Sequence, residues 1–226
     1  MRLSIILPTL DEAEGITACL APLQGLRQAG HQVVVVDGGS RDGTPGLAAP
    51  LADRVLAAPR GRARQMNAGA ARAEGDAFLF LHADTRLPEA AAARIAAALV
   101  DHDWGRFDVR IEGRPALLRL VAALMNLRSR LTGIATGDQA IFVRRTVFEA
   151  LGGFPDQPLM EDIELSRRLK RFGRPACLSA RVRTSGRRWE RHGVWRTILL
   201  MWRLRFDYWR GVPAERLARR YDPGPP

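Results

Sequence analysis

Two groups of acidic residues in the sequence could do chemistry on a phosphorylated substrate. Asp84 follows His82 at the end of an apolar run, residues 78–81, and Glu161 is directly followed by Asp162. A carboxylate is a ligand for a hard divalent cation such as Mg²⁺ or Mn²⁺, which in turn binds diphosphate oxygens. A carboxylate can also take a proton from a hydroxyl group as a general base. These residues predict a metal ligand at Asp84 and proton transfer at Asp162 or Glu161.

A third segment has the composition of a nucleotide site. Residues 37–44 read Asp-Gly-Gly-Ser-Arg-Asp-Gly-Thr, and the glycines permit tight turns and close approach of the backbone to a ligand. All three segments also have a structural interpretation. The loop is explained equally well as a turn, an aspartate after a strand is a common cap, and acids in a first helical turn commonly favour the helix dipole.

The elements that must position these residues follow an α/β pattern. Residues 3–7 and 32–36 are short apolar runs typical of buried parallel strands, and residues 14–29 between them have a helix-forming composition. Residues 78–81 supply the next strand. In such a sheet, ligands bind beyond the carboxyl ends of the strands. The segments that we expect around one site are residues 8–12, 37–44 and 82–86.

The second half of the chain is expected to continue this pattern. Residues 89–99 and 158–172 have a helical composition, whereas residues 107–111 and 140–143 are typical of strands. Residues 116–127 are strongly apolar and have arginines around them. Either a helix of the core or a helix at an interface explains that last segment.

Length, composition and charge limit the class of protein. The chain has 226 residues, 46% hydrophobic and 26% charged, which suffices for one domain with a sizeable core and excludes a disordered, collagen-like or coiled-coil chain. The net charge of +11 first indicates nucleic acid or an anionic membrane. However, 17 basic and only 4 acidic side chains lie in residues 167–226, so the basic character belongs to the C-terminal quarter.

Cysteine usage and the N-terminal sequence predict a cytoplasmic protein. Cys19 and Cys177 are far apart and indicate neither a disulfide framework nor a zinc site. The N-terminus lacks the apolar stretch and cleavage site of a signal peptide. No uncharged run reaches the ~18 residues that span a bilayer.

Taken in order along the chain, these motifs resemble those of the family 2 glycosyltransferases, which have a GT-A fold. The resemblance covers roughly residues 2–221. Gly38 stands where the family has a second aspartate, and Met66 where it has an arginine, for which Arg62 or Arg64 is expected to substitute. Residues 61–67 and 158–162 are similar to a small soluble bacterial branch often labelled arsenosugar- or selenium-associated, a label that names no substrate. The segments that match family motifs are residues 8–12, 36–44, 65–69, 82–84, 137–145, 161–162 and 187–189.

The resemblance implies a fold and a reaction. The fold is α/β, with a Rossmann-like, mostly parallel sheet flanked by helices at residues 1–190 and a basic, aromatic helical segment and tail packed on it at residues 191–226. The reaction is an inverting, metal-dependent transfer of a sugar from a UDP- or GDP-sugar to an unknown acceptor. Asp162 is the implied base beside Glu161, and Asp84 is the implied ligand of Mg²⁺ or Mn²⁺. Residues implied in donor binding are Pro8, Thr9, Glu12, Asp37, Gly39, Arg62, Arg64, Asn67, His82, Arg187 and Arg188, and those implied on the acceptor side are Gly137, Asp138, Gln139 and Trp189.

Two other classes of function compete with this one. The first is a nucleotidyltransferase that acts on a sugar phosphate, since related sheets bind nucleotides and metal similarly. The second is a non-enzymatic, basic nucleic-acid-binding protein, which only the net charge supports, so we expect no nucleic-acid partner.

The C-terminal segment leaves three uses open. Aromatic and apolar side chains recur at three- and four-residue steps through residues 195–209, as on one face of a helix. Packing of this stripe on the domain is favoured over peripheral contact with an anionic membrane, at the inner face of the cytoplasmic membrane, and a homodimer interface is the third use. Residues 221–226 are expected to be a frayed tail.

Overall fold

The structure is a computed structural model and describes residues 1–221. Most of the expected tail, residues 222–226, lies outside the described residues. Helices pack on both faces of one eight-stranded sheet, as expected for an α/β fold. The strands are β1 (Leu3–Thr9), β2 (Gln32–Asp37), β3 (Arg54–Ala57), β4 (Ala77–Phe80), β5 (Thr85–Arg86), β6 (Trp104–Glu112), β7 (Phe142–Arg144) and β8 (Ala176–Ser185).

The helices expected at residues 89–99, 116–127 and 158–172 are present as Ala91–Asp101, Leu117–Thr132 and Glu161–Leu169, and the one expected at residues 14–29 is interrupted. The expected helix at residues 14–29 is divided by a 3-10 turn, Ala21–Leu23, because Pro22 has no backbone N–H to continue the helical hydrogen bonds. Further 3-10 turns cover Ala49–Leu51 and Gly137–Gln139. The α-helices are α1 (Ala13–Leu20), α2 (Gln24–Gln28), α3 (Thr44–Ala48), α4 (Arg62–Ala70), α5 (Ala91–Asp101), α6 (Leu117–Thr132), α7 (Arg145–Ala150), α8 (Glu161–Leu169), α9 (Arg187–His192), α10 (Val194–Trp209) and α11 (Ala214–Tyr221).

The sheet has the strand order β3-β2-β1-β4-β7-β6-β8-β5. Strands β3, β2, β1 and β4 are mutually parallel, and β6 is parallel to β8. Strand β7 runs antiparallel to both β4 and β6, and β5 runs antiparallel to β8. The carboxyl ends of β1, β2 and β4 therefore lie at one edge, where the motif-bearing loops follow them.

Alternating residues of the central strands face two separate cores. Ile5 and Val35 belong to one apolar cluster, packed by α1, α5 and α6, whereas Ile6 and Val34 belong to another, packed by α4, α7 and α8. Both strands are therefore apolar at successive positions, which is typical of a parallel sheet covered on both faces.

The C-terminal helices pack on the loop that precedes α8. Leu204 of α10 and Leu217 of α11 are buried against Leu159 and Met160. The predicted division after residue 190 falls inside α9, which leads directly into α10. None of the helices in the described part of the chain has the length and apolar character to cross a bilayer.

The favoured expectation that the aromatic stripe of α10 packs on the domain is wrong for most of its members. The helix uses a different face for packing, with Thr197 and Leu204 buried. A charged and aromatic surface faces solvent instead. The stripe residues that are 55% to 80% exposed are Trp195, Leu199, Trp202, Phe206 and Trp209.

Candidate active site

A cleft of about 1240 Å³ opens at the carboxyl edge of the sheet. It runs from the ends of β1 and β4, past the start of α8, to the space between α6 and α10. Most of the site residues predicted from the sequence meet there. Those that line the cleft are Pro8, Thr9, Glu12, Arg62, His82, Asp84, Gly137, Asp138, Glu161, Asp162, Arg187, Arg188 and Trp189.

Five predicted site residues do not line this cleft, and the structure gives each a local contact. Asp37 accepts hydrogen bonds of 2.8 Å from the backbone N–H groups of Gly39 and Ser40, so its carboxylate holds its own loop. Gly39 supplies a backbone φ of +96° in that loop, a conformation that favours glycine. Asn67 exchanges two hydrogen bonds of 2.9 Å with the backbone of Phe154.

The other two lie elsewhere. Arg64 points outward to an ion pair with Asp156 at 2.7 Å, with half of its side chain exposed. Gln139 is fully buried and accepts a hydrogen bond from the backbone of Thr136. The acceptor-side prediction for Gln139 and the donor-side prediction for Arg64 are therefore not supported by their positions.

The loop at residues 37–44 fixes the segment that carries Glu12. Thr44 accepts a hydrogen bond of 2.9 Å from the backbone N–H of Glu12, and Asp42 accepts one of 2.8 Å from that of Ala13. Asp11, at a φ of +51°, accepts a hydrogen bond from the backbone of Arg41. The polar residues of this loop thus hold two loops together and direct Glu12 into the cleft.

Asp84 lines the cleft beside the first residue of α9. Its Oδ2 atom is 3.7 Å from Nη2 of Arg187, whose guanidinium also bonds Glu12. No three His, Cys, Asp or Glu side chains within residues 1–221 converge as a ready-made metal site. One carboxylate that faces the cleft nevertheless fits a Mg²⁺ or Mn²⁺ ion that takes its remaining ligands from phosphate oxygens and water.

His82 stands where the resembled family has the first aspartate of its metal motif, and it pairs with an acid. Its Nδ1 lies 3.4 Å from Oδ1 of Asp138. Desolvation in the cleft opposes ionisation of Asp138, but the hydrogen bond with His82 and the charges of Arg62 and Arg188 hold its pKa below the usual value. Asp138 is therefore an ionised carboxylate in the cleft.

Asp162 is fixed in the first turn of α8. Its Oδ2 accepts a hydrogen bond of 2.8 Å from the backbone N–H of Gly137, and its Oδ1 accepts one of 2.7 Å from that of Ile163. Burial raises the pKa of Asp162, against the effect of these two bonds. Burial and the charge of Asp162 raise the pKa of Glu161 to about 7. Because their pKa values are raised, these two acids can take up a proton near neutral pH, as a general base must.

The start of α8 has an uncommon backbone conformation. Met160, just before the helix, has a φ of +66°, which is rare for a residue other than glycine, asparagine or aspartate. Its side chain is buried against Leu204 and Leu217. The C-terminal helices thus hold the conformation that turns Glu161 and Asp162 toward the cleft.

The end of α11 closes one side of the cleft. Arg188 stacks over the ring of Tyr221 at 3.6 Å from the centroid, and it donates a hydrogen bond of 2.8 Å to the backbone oxygen of that residue. Ala218 and Arg219 also line the cleft. The sequence motifs did not predict this contribution, because it depends on how the last helix folds back.

Sequence reasoning also missed Arg128 of α6. This arginine lines the cleft, and its Nε and Nη2 atoms are buried with no hydrogen-bond partner in the described part of the chain. The spacing contained a signal, since Arg128 continues the three- and four-residue steps of the apolar face of α6. The spacing does not show which other element this face of α6 lies opposite.

The curled, mostly parallel sheet with a cleft at its carboxyl edge has the GT-A architecture. The chain belongs to the family 2 glycosyltransferases, because the sequence model of that family, Glycosyl transferase family 2, matches residues 4–144. The sequence predictions of the family, the fold class and the enzyme class are therefore confirmed.

Relatives with a known name cover part of the chain. A PGL/p-HBAD biosynthesis glycosyltransferase of Mycobacterium tuberculosis is 39% identical over 108 residues, which are 44% of this chain and 42% of that protein. The match therefore spans less than half the length of these curated relatives.

Solved structures share the fold at low sequence identity. Staphylococcus aureus TarS in complex with UDP has a TM-score of 0.65 at 22% identity, over 82% of this chain and 60% of that one. A mannosyltransferase from Pyrobaculum calidifontis in complex with GDP-Man and Mn²⁺ has a TM-score of 0.60 at 24% identity, over 80% of this chain and 56% of that one. At such identities, the likeness establishes the fold alone.

Proposed function

We propose that this chain transfers a sugar from a UDP- or GDP-sugar to a hydroxyl group, with inversion at the anomeric carbon. The observation that carries the proposal is the position of Asp162, which two backbone N–H groups fix in the same cleft as Asp84 and Arg187. Complexes of structural neighbours with UDP, UDP-GlcNAc and GDP-Man support the two donor classes.

The donor diphosphate is expected between Asp84 and the arginines of α9. A divalent cation, when bound there, would neutralise charge on the leaving diphosphate, and Asp84 would be its protein ligand. Neighbours that contain Mn²⁺ support this cofactor. Arg187 and Arg188 line the same region, and their guanidinium groups stabilise the negative charge that develops as the nucleoside diphosphate leaves.

Asp162 is the proposed base. It takes the proton of the acceptor hydroxyl as that oxygen forms a bond to the anomeric carbon, on the face opposite the diphosphate. The bond between the anomeric carbon and the diphosphate breaks, and its electron pair leaves with the nucleotide. Glu161, whose pKa lies near 7, shares protons with Asp162 and keeps the pair from carrying two full charges.

The test is nucleoside diphosphate release from UDP- and GDP-sugars in the presence of Mn²⁺, followed by the anomeric configuration of the product. Asp162→Asn should bind the donor with unchanged affinity but lose transfer by about a hundredfold or more, as expected for loss of a general base. Asp101→Asn, which changes an exposed aspartate at the end of α5, is the matched control. An Asp162→Asn enzyme that transfers sugar at the normal rate would contradict the base role.

A further inference from the structure

The cleft extends beyond the region that a nucleotide-sugar would occupy. Its volume of about 1240 Å³ exceeds the roughly 300–1,000 Å³ of an ordinary small-molecule pocket. One part of the cleft lies between α6 and α10, and we call it the outer groove. The residues that line the outer groove are Leu117, Leu120, Val121, Leu124, Met125 and Arg128 of α6, and Trp195, Ile198, Met201, Trp202 and Arg205 of α10.

Large apolar side chains in this groove are open to water. Leu120 and Leu124 are 54% and 51% exposed, and Trp195 and Trp202 are 70% and 66% exposed. They come from two different helices and line the same cleft, so they form one apolar surface rather than scattered contacts with solvent. A continuous apolar surface of this kind marks a site that binds an apolar ligand.

The charged side chains that line the outer groove are all positive. Its lining residues include two arginines and no carboxylate. Arg128 lies at the end of the α6 face that lines the same cleft as Asp162; burial lowers the pKa of Arg128, and the charge of Asp162 opposes this shift. The buried Nε and Nη2 atoms of Arg128 lack a hydrogen-bond partner within residues 1–221. Arg128 as a whole is partly buried and lines the cleft, so an anionic group of a ligand is a suitable partner for these two N–H groups.

We propose that the acceptor is an anionic lipid, with a phosphoester on Arg128, a headgroup hydroxyl at Asp162, and a hydrocarbon chain in the outer groove. This rests on the sugar transfer proposed above. The lipid hydroxyl oxygen forms the bond to the anomeric carbon, its proton passes to Asp162, and the nucleoside diphosphate leaves with the electron pair of the broken bond. The product is a glycolipid, with the hydrocarbon chain unchanged.

Binding is tested with a defined probe rather than with the natural acceptor. Dioctanoyl phosphatidylglycerol, below its micelle concentration, carries the three features together: a hydroxyl, a phosphoester and short hydrocarbon chains. Its chains should shield Trp195 and Trp202 from water and shift their fluorescence to shorter wavelength. The protein has five tryptophans, so the signal of the groove must be separated from that of the others. If the shift comes from the groove, Trp202→Phe should reduce it.

Two matched pairs of variants locate the site on α6. Leu124→Glu and Arg128→Gln should each weaken the probe by about tenfold or more, or at least ~1.4 kcal/mol. Leu131→Glu and Arg119→Gln change exposed residues of the same helix outside the groove and should leave the affinity unchanged. Equal loss in a variant and its control, or no loss in either groove variant, would overturn the proposal.

Other ligands separate the contributions of charge and chain. Dioctanoyl phosphatidylcholine has the chains without a net negative charge or hydroxyl, and glycerophosphoglycerol has the headgroup without chains; both should bind at least about tenfold more weakly than the probe. Equal binding of either one contradicts the proposal. Sedimentation that shows a dimer lost in Leu124→Glu would assign the groove to a second copy and would also overturn it.

The same samples distinguish this inference from the proposed function. UDP and GDP binding in the presence of Mn²⁺ is measured in parallel with the lipid probe. A chain that binds and hydrolyses a nucleotide-sugar but not the lipid refutes the acceptor class alone. A chain that binds no nucleotide refutes the proposed function.

Discussion

The guanidinium of Arg187 bonds the carboxylate of Glu12 at 2.5 Å and so joins two residues that are 175 positions apart. Glu12 is held by the loop at residues 37–44, and Arg187 begins α9. This ion pair keeps a positive charge beside Asp84 in the absence of a donor. A diphosphate carries more negative charge and more acceptor oxygens than the single carboxylate of Glu12, so we expect the donor to draw Arg187 away from Glu12.

Removal of this guanidinium should weaken nucleotide binding. Arg187→Ala loses charge-assisted hydrogen bonds worth ~1.5–3 kcal/mol, which corresponds to roughly tenfold to a hundredfold in the dissociation constant of UDP or GDP. Isothermal titration measures it. Arg191→Ala, an exposed arginine of the same helix outside the cleft, should bind normally. Unchanged affinity in Arg187→Ala would place the diphosphate elsewhere.

The metal assignment depends on Asp84. We expect the native chain to bind UDP or GDP more tightly in Mn²⁺ than in EDTA, and Asp84→Ala to lose this enhancement, because its carboxylate is the only proposed protein ligand. Titrations with and without Mn²⁺ give the ratio directly. Asp101→Ala should retain it. If Asp84→Ala keeps the full enhancement, the cation does not bind at Asp84.

The raised pKa of Glu161 predicts how stability depends on pH. Burial and the charge of Asp162 raise this pKa from 4.5 to about 7, so the folded chain keeps a proton that the unfolded chain releases between those values. The free energy of unfolding therefore falls as the pH rises through this window, and Glu161 accounts for about 3 kcal/mol of the fall. Well above pH 7, Glu161 contributes no further pH dependence.

Urea denaturation at pH 5 and pH 8 measures this difference. Glu161→Gln has no proton to lose, so its stability should fall less over the same range. Glu149→Gln, at an exposed position of α7, should follow the native chain. An identical pH dependence in all three proteins would mean that Glu161 ionises as easily in the folded state as in the unfolded state.

Close packing of α4 on the sheet predicts a second stability difference. A Cβ atom at Gly69 would lie 2.5 Å from Cγ2 of Ile6 and 2.9 Å from Cγ2 of Val36, so α4 could not keep its distance from β1 and β2. Gly69→Ala should lower the free energy of unfolding by ~1–3 kcal/mol. At Gly46 of α3 the added methyl group has open space, and Gly46→Ala should raise it by up to about 1 kcal/mol. Equal stability of the two variants would show that α4 shifts without cost.

The sequence was sufficient for the parts of the fold that obey a simple pattern. Residues 5–7 of β1 and 33–36 of β2 are consecutive apolar residues because both faces of the sheet are covered, and such runs can be recognised without a structure. Strand β8 was missed because arginines interrupt its apolar residues. In β6, Arg106 is fully buried and hydrogen-bonded to Asp108. A charged residue in this part of the sequence therefore does not indicate an exposed position.

The candidate site divides in the same way. The part of the cleft that we propose for donor binding is formed by residues at strand ends and by neighbouring acids. Residue type and spacing suffice to predict such residues, and most of those predicted line the cleft. Asn67 and Gln139 belong to motif segments but serve the loops beside the cleft, and spacing alone does not separate these roles. The outer groove required the tertiary structure, since α6 and α10 are far apart in the chain. Arg128 reaches the cleft because α6 packs on β6.

The stacking of Arg188 on Tyr221 has a practical consequence at the bench. A fluorescent protein or a bulky affinity tag placed after α11 would lie next to the cleft, and we expect it to disturb kinetics without unfolding the enzyme. Met1 is half exposed and precedes β1. A label placed before β1 is the better choice for assays of this enzyme, and a tag-position series would report how closely the last helix is coupled to turnover.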